Sequence, residues 1–128
     1  MANSKQFPLP KGALEEDRIA LMRELERDGN PGLLAELTLA FTGDSRNVVA
    51  KIRQALALRQ LEVIRKESHA LSSMAGGVGA ERVRLLASTL EGWAKGSGVP
   101  ACPVTANQLG DECEHAISSL QEISGTKQ

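Results

Sequence analysis

The sequence predicts an all-α protein, a bundle of helices joined by short connections. Three observations carry this. Apolar residues recur at three- and four-residue spacing in segment after segment, and no stretch alternates apolar and polar as a strand does. The 128 residues suffice for one compact domain and not comfortably for two. Hydrophobic residues make up 41% of the chain but aromatics only 2%, so the core must be aliphatic, as in a Leu/Ala/Val bundle.

Residues 1 to about 12 hold Pro8 and Pro10 and little periodicity, and read as a flexible lead-in. From Ala13, the series Leu14, Ile19, Leu21, Met22 and Leu25 marks a first helix. It stops at Asp28-Gly29-Asn30-Pro31, where Gly29 suits the left-handed residue past a helix end. Asn30 and Pro31 suit the N-cap and first position of a second helix. That helix carries Leu34, Leu37, Phe41, Val48, Ile52 and Leu56, with Ser45 filling the missing position. The apolar phase crosses Gly43 unshifted, so one long helix is favoured over two. The phase is lost around Ala57 to Gln60, which marks a helix end and a short turn.

A third helix runs from about Gln60 to Gly77. A fourth runs from about Ala80 to Lys95, with Val83, Leu86, Leu90 and Trp93 on one face. Residues 96–104 contain two glycines and two prolines and form a loop. A last helix, Thr105 to Ile123, is capped by Thr105 and carries Leu109, Cys113, Ala116 or Ile117, and Leu120. Residues 13–124 therefore form one domain, followed by a short tail at 125–128. Short connections make neighbouring helices antiparallel.

The formal net charge is -1 with no basic block, which argues against nucleic acid as a partner. No apolar run approaches the roughly 18–20 residues that span a membrane. The first residues lack the apolar segment of a secretory signal, so a cytoplasmic location is expected. Cys102 and Cys113 do not have metal or redox spacing. Reduced thiols are expected, with a disulfide as the alternative. A Cys102/Cys113/His115 metal site lacks a second tight ligand pair, so no metal or cofactor is expected in this chain.

The stretch from His69 to Val83 raises a separate question. On a wheel at about 100° per residue, Leu61, Ile64, Ser68, Leu71, Ala75 and Val78 form one stripe, edged by Val63, Ala70 and Met74. His69 lies about 130° from its centre and points to solvent. Arg65, Ser72, Ser73 and Gly76 share its side. Side chains lean toward the helix N-terminus, so Ser72, Ser73 and Gly76 line the ground around and beyond the imidazole without shielding it. An exposed glycine costs a helix roughly 1 kcal/mol relative to alanine, and here Gly76 and Gly77 stand together. One reading is a surface histidine on a helix that simply ends at two glycines. The other is a bare imidazole on a flat face, able to act as a nucleophile near neutral pH toward a partner protein. Phosphoryl transfer needs an in-line approach and positioning more than local acid–base groups. No carboxylate or cysteine stands at helical spacing to His69, since Glu62 is too remote, which disfavours an enzyme acting on a small molecule.

The run His69-Ala70-Leu71-Ser72-Ser73-Met74-Ala75-Gly76-Gly77-Val78-Gly79-Ala80 resembles the histidine-containing phosphotransfer (HPt) domain of phosphorelays. That family's pattern is His-x-x-Lys-Gly, then small residues, then a glycine before the next helix. Leu71, the small segment Ala75–Gly77, and Gly79-Ala80 match it. The helix order, the long second helix bearing Phe41, and the end of the fourth helix are similar too, over about residues 13 to 123. The resemblance implies an antiparallel four-helix bundle with an additional N-terminal helix across one end. It implies a phosphoryl carrier without kinase activity of its own: His69 Nε2 accepts from a receiver-domain aspartate and passes the group to another receiver. The implied partners are a response-regulator receiver domain or a hybrid sensor kinase, with magnesium in the receiver. A monomer is expected, because the exposed face is small and polar.

The chain departs from the pattern at two positions. Ser72 stands where the family has lysine, and Ser73 where it has glycine. Arg65 and Lys66 lean away from His69 and replace the lysine poorly; Arg82 and Arg84 are further candidates. The competing reading is a degenerate module that binds a receiver or kinase as a regulator without being phosphorylated. His115 reads as a structural histidine, and Trp93 and Phe41 as core.

Overall fold

The computed structural model describes residues 12–96 and 102–125, so the lead-in, the middle of the 96–104 loop and the end of the tail lie outside the described residues. Five helices follow in order: α1 (Glu16–Arg27), α2 (Leu33–Ala57), α3 (Leu61–Val78), α4 (Glu81–Lys95) and α5 (Ala106–Ser124). No strand occurs among the described residues. The boundaries follow from turn chemistry. Gly29 (φ 122°) follows α1 and Gly79 (φ 77°) follows α3, both in the left-handed region. Six-residue closing bonds accompany them: Asn30 N–H donates to Leu25 O (3.2 Å) and Ala80 N–H to Ala75 O (2.8 Å). The same bond closes α2, from Gln60 N–H to Ala55 O (2.9 Å), although Arg59 takes the positive φ of 57° there.

α2 is continuous through Gly43, as its unbroken apolar phase predicts. Its start differs from the expectation. Gly32 (φ 83°), not Asn30, is the N-cap, and Pro31 lies in the preceding turn. The first-turn amide of Leu34 is satisfied from α1 instead, donating to Glu26 Oε2 at 3.0 Å. A tertiary contact thus replaces the local cap. The Thr105 cap forms as expected, accepting from Gln108 N–H at 2.9 Å.

α2 to α5 make the bundle. α3 turns back along α2 after a three-residue link and α4 turns back along α3 after two, while α5 packs on α2 and α4. Buried side chains come from every element: Met22, Phe41, Ile52, Ile64, Leu71, Leu86, Leu90, Leu109 and Leu120 among them. Each such aliphatic residue contributes about 1.5–3 kcal/mol through burial. Ser45 and Ser68 are completely buried as small fillers at core positions. The stripe of α3 narrows at its start: Leu61 and Val63 are 42% and 38% exposed, because its first turn has just emerged from the α2–α3 link. Phe41 is buried, whereas Trp93 lies only partly buried against the core.

α1 lies across one end of this bundle, touching α2 and α3. Glu15 N–H donates to Gly79 O at 2.7 Å, so the start of α1 is tied to the α3–α4 turn. Gly79 is needed twice there. Its φ is left-handed, and a Cβ would stand 2.9 Å from Arg18 Cβ and 3.4 Å from Glu15 O. Gly79→Ala is therefore expected to destabilise by about 1–2 kcal/mol from backbone strain alone, with α1 displaced in addition. Urea unfolding checks this, and an unchanged midpoint would contradict the packing of α1 on this turn.

Both cysteines are free thiols. Cys113 is buried in α5, and burial pushes its thiol up from 9.0 to about 12. Its folded value is raised, so the stabilisation is complete below pH 9 and is lost as pH rises from 9 toward 12, because the unfolded thiol ionises first. Thiol-reagent kinetics at pH 8 are expected to show Cys102 reacting in the native protein and Cys113 only on unfolding. His115 is 67% exposed, on the surface of α5, with Nδ1 3.6 Å from Glu112 Oε1. Among the described residues no cluster of three or more His, Cys, Asp or Glu side chains could hold a metal ion, and no helix is long and apolar enough to cross a membrane.

Candidate phosphotransfer site

His69 sits at the middle of α3 with its side chain 66% exposed. The wheel places it on the surface correctly, and the core stripe of Ile64, Ser68, Leu71, Ala75 and Val78 is buried on the other side. The antiparallel hairpin of α3 and α4 then decides what stands next to it. Counting away from the Gly79–Ala80 turn, Gly76 meets Arg84, Ser72 meets Ser88, and His69 meets Glu91. These three pairs share one register.

The His69–Glu91 contact is the main feature of the site. His69 Nδ1 lies 3.0 Å from Glu91 Oε2. An ionised carboxylate only accepts hydrogen bonds, so Nδ1 carries the proton and donates. The other ring nitrogen, Nε2, is left with its lone pair and makes no hydrogen bond among the described residues. Glu91 is ionised at neutral pH. Burial alone would raise its pKa, but the nearby Lys95 ammonium and the hydrogen bond from His69 together outweigh burial and hold it below the ordinary carboxylate value. The Glu91 side chain is only 15% exposed, so its position is well defined.

The remaining residues of the expected surround divide. Ser73 is exposed beside His69 and leaves the face open. Ser72 does not share that open face. It is half-buried, with its hydroxyl 2.9 Å from Ser88 Oγ, and is turned into the α3–α4 seam. Gly76 is half-buried, because the stem of Arg84 lies over it: Arg84 Cδ would be 3.5 Å from a Cβ there. Arg65 forms a two-pronged ion pair with Glu62 one turn earlier on α3, and it is near enough to Glu91 to feel that carboxylate's charge. Arg84 is likewise taken by Glu81, and Arg82 by Glu112 of α5.

From the sequence alone Glu91 and Lys95 are not singled out, and Ser88 reads as an ordinary helix-surface or filler residue. They fall on one side of α4 at spacings of three and four, between the buried Val83–Leu86–Leu90 stripe and solvent. Reflecting that polar stripe through the Gly79–Ala80 turn is the signal that finds Glu91, and it requires the hairpin register.

A mid-helix imidazole, exposed, with one nitrogen held by a carboxylate and the other free, is the arrangement of a positioned nucleophile. A family model described as the Hpt domain matches residues 36–119, more than half of the chain. The chain belongs to the Hpt domain family. Its described residues are all-helical, with five helices, and the family's general role is histidine phosphotransfer in two-component phosphorelays. Hpt domains interact there with receiver domains and kinases. No curated protein and no solved structure matches the chain.

Proposed function

We propose that this Hpt domain is a phosphoryl carrier in which His69 Nε2 is the accepting atom. The observation that carries the reading is the Nδ1–Glu91 hydrogen bond on an imidazole that is otherwise open to a partner. The donor is a receiver-domain aspartyl phosphate. Nε2 attacks phosphorus in line, the N–P bond forms, the P–O bond to the aspartate breaks, and the aspartate leaves as a carboxylate. The ring gains a positive charge because Nδ1 keeps its proton. The Glu91 carboxylate stabilises that charge, as a carboxylate does for any hydrogen-bonded imidazolium. Transfer to a second receiver is the reverse. Magnesium comes with the receiver, not from this chain, and this domain has no nucleotide chemistry of its own.

The site holds little acid–base machinery because phosphoryl transfer through a loose transition state depends on positioning and charge stabilisation. A rigid helix supplies the first and Glu91 part of the second. The test is incubation with a panel of phosphorylated receiver domains, following acid-labile, base-stable phosphate and its position by mass spectrometry. Label at His69 is expected with at least one receiver. Measurable binding to a receiver with no label from any would overturn the reading in favour of a docking module that keeps the fold without the chemistry. Ser72, lacking the cation, is the feature that favours that second reading.

A further inference from the structure

We propose that Lys95 is the counter-ion of the phosphoryl group once His69 carries it, supplying from α4 the cation that Ser72 does not supply from α3. The proposal rests on His69 being the phosphoryl-accepting residue. Three observations lead to Lys95.

The first is connectivity. Lys95 Nζ lies 3.4 Å from Glu91 Oε2, and the same oxygen accepts the proton of His69 Nδ1 at 3.0 Å. The ammonium is thus one carboxylate oxygen away from the imidazole. The second is competition among the neighbouring cations. Arg65, Arg82 and Arg84 are each paired with a carboxylate that has no contact with His69: Glu62, Glu112 and Glu81 respectively. Lys66 is on α3 itself, three residues before His69, and leans toward the helix N-terminus and away from the ring. Arg65 also feels the Glu91 charge, but its guanidinium is engaged by Glu62; Lys95 alone among these is in direct contact with the carboxylate that holds His69.

The third observation is how loosely Lys95 is held. A contact of 3.4 Å exceeds the usual 2.7–3.2 Å of an N–H···O hydrogen bond, and its side chain is 57% exposed on a flexible four-carbon stem. Phosphorylation adds about two negative charges and three strong acceptor oxygens at Nε2, across the same ring from the nitrogen that Glu91 holds. A shared carboxylate oxygen is a weaker partner than that dianion, so the ammonium moves to the phosphoryl group. Glu91 is then left wholly to the Nδ1 proton. Loss of the group passes through a loose transition state in which the phosphoryl oxygens shed negative charge. A cation paired with those oxygens stabilises the phosphorylated ground state more than that transition state, and lengthens its lifetime.

The test uses the whole chain in a His115→Gln background, so that His69 is the one remaining histidine of the two. Phosphoramidate phosphorylates the imidazole without any receiver: its P–N bond breaks, ammonia leaves and the Nε2–P bond forms. Phosphorus-31 spectra then give the pH midpoint of the phosphoryl group and its half-life for the parent, Lys95→Gln and Lys95→Arg. Lys95→Gln is expected to raise the midpoint by about half a pH unit, as loss of one adjacent charge at an exposed site does. It is also expected to shorten the half-life two- to fivefold, roughly the kinetic counterpart of that charge, with Lys95→Arg restoring most of both. A merely structural role for Lys95 would leave the midpoint in place. Equal midpoints and half-lives in the parent and Lys95→Gln would overturn the assignment of Lys95 alone. Failure of every receiver to label His69 would instead overturn the transfer reading and leave these chemical measurements standing.

Discussion

His69→Gln is expected to abolish acid-labile phosphorylation while unfolding at the same denaturant concentration as the wild type. The imidazole is 66% exposed, and its one hydrogen bond among the described residues is to Glu91. Its removal opens no cavity and leaves no buried partner, since Glu91 keeps Lys95 as an ion pair. Surface substitutions of this kind stay within about 0.5 kcal/mol. Glutamine is a good helix former, so α3 persists. The chemistry has no substitute, because the amide has no basic lone pair and the Ser72 hydroxyl is turned to Ser88 Oγ. His115, equally exposed, is carried on α5 and has only a distant carboxylate, Glu112 Oε1 at 3.6 Å from Nδ1. Quantitative receiver-dependent labelling of His69→Gln would place the acceptor elsewhere. A matched loss of stability would make the residue structural.

Glu91→Gln is the second large effect, expected to slow transfer to His69 by about 10- to 100-fold, the usual consequence of losing a carboxylate that orients an imidazole. The carboxylate acts in two ways. It fixes the Nδ1–H tautomer, leaving Nε2 as the nucleophile, and its charge offsets the positive charge that develops on the ring. Glutamine loses the second role and confuses the first, because its NH₂ can donate to Nδ1 and push the proton to Nε2. Nitrogen-15 spectra of the imidazole read the tautomer directly, and quench-flow with a phosphorylated receiver reads the rate. The pH dependence follows in sign. Glu91 has a depressed folded value, so its contribution is present at neutral pH and is lost as pH falls through that value. An unchanged tautomer and rate in Glu91→Gln would show that Glu91 is only a surface ion-pair partner of Lys95.

The relation between this chain and its fold differs from element to element. Periodicity located all five helices, because an aliphatic stripe at three- and four-residue spacing has only one face to bury. Gly29 marked a helix end in advance, because the left-handed turn it makes is costly for other residues, whereas α3 runs past the expected end at Gly77 to Val78 and turns at Gly79, which only the family resemblance placed in a closing turn. Arg59 shows the limit: it adopts that turn against its preference, and no local signal announces it. Asn30 and Pro31 were plausible as a helix start, yet Glu26 reached over from α1 to cap α2 two residues later. Leu61 counted as core on the wheel and is exposed, because the wheel does not know where a neighbouring helix ends.

At the site the division is sharper. By itself the sequence determined the helices, the aliphatic core, the exposure of His69 and the small residues around it, since each depends on spacing within one helix. The tertiary structure alone decided the chemistry that His69 can do. Glu91 lies 22 residues away and reaches the imidazole only when α3 and α4 pair in one register about Gly79. That same pairing turned Ser72 inward to Ser88 and brought Lys95 to the Glu91 carboxylate. A pattern along one helix states which way a side chain points; which charge it meets there is set by how the next helix packs.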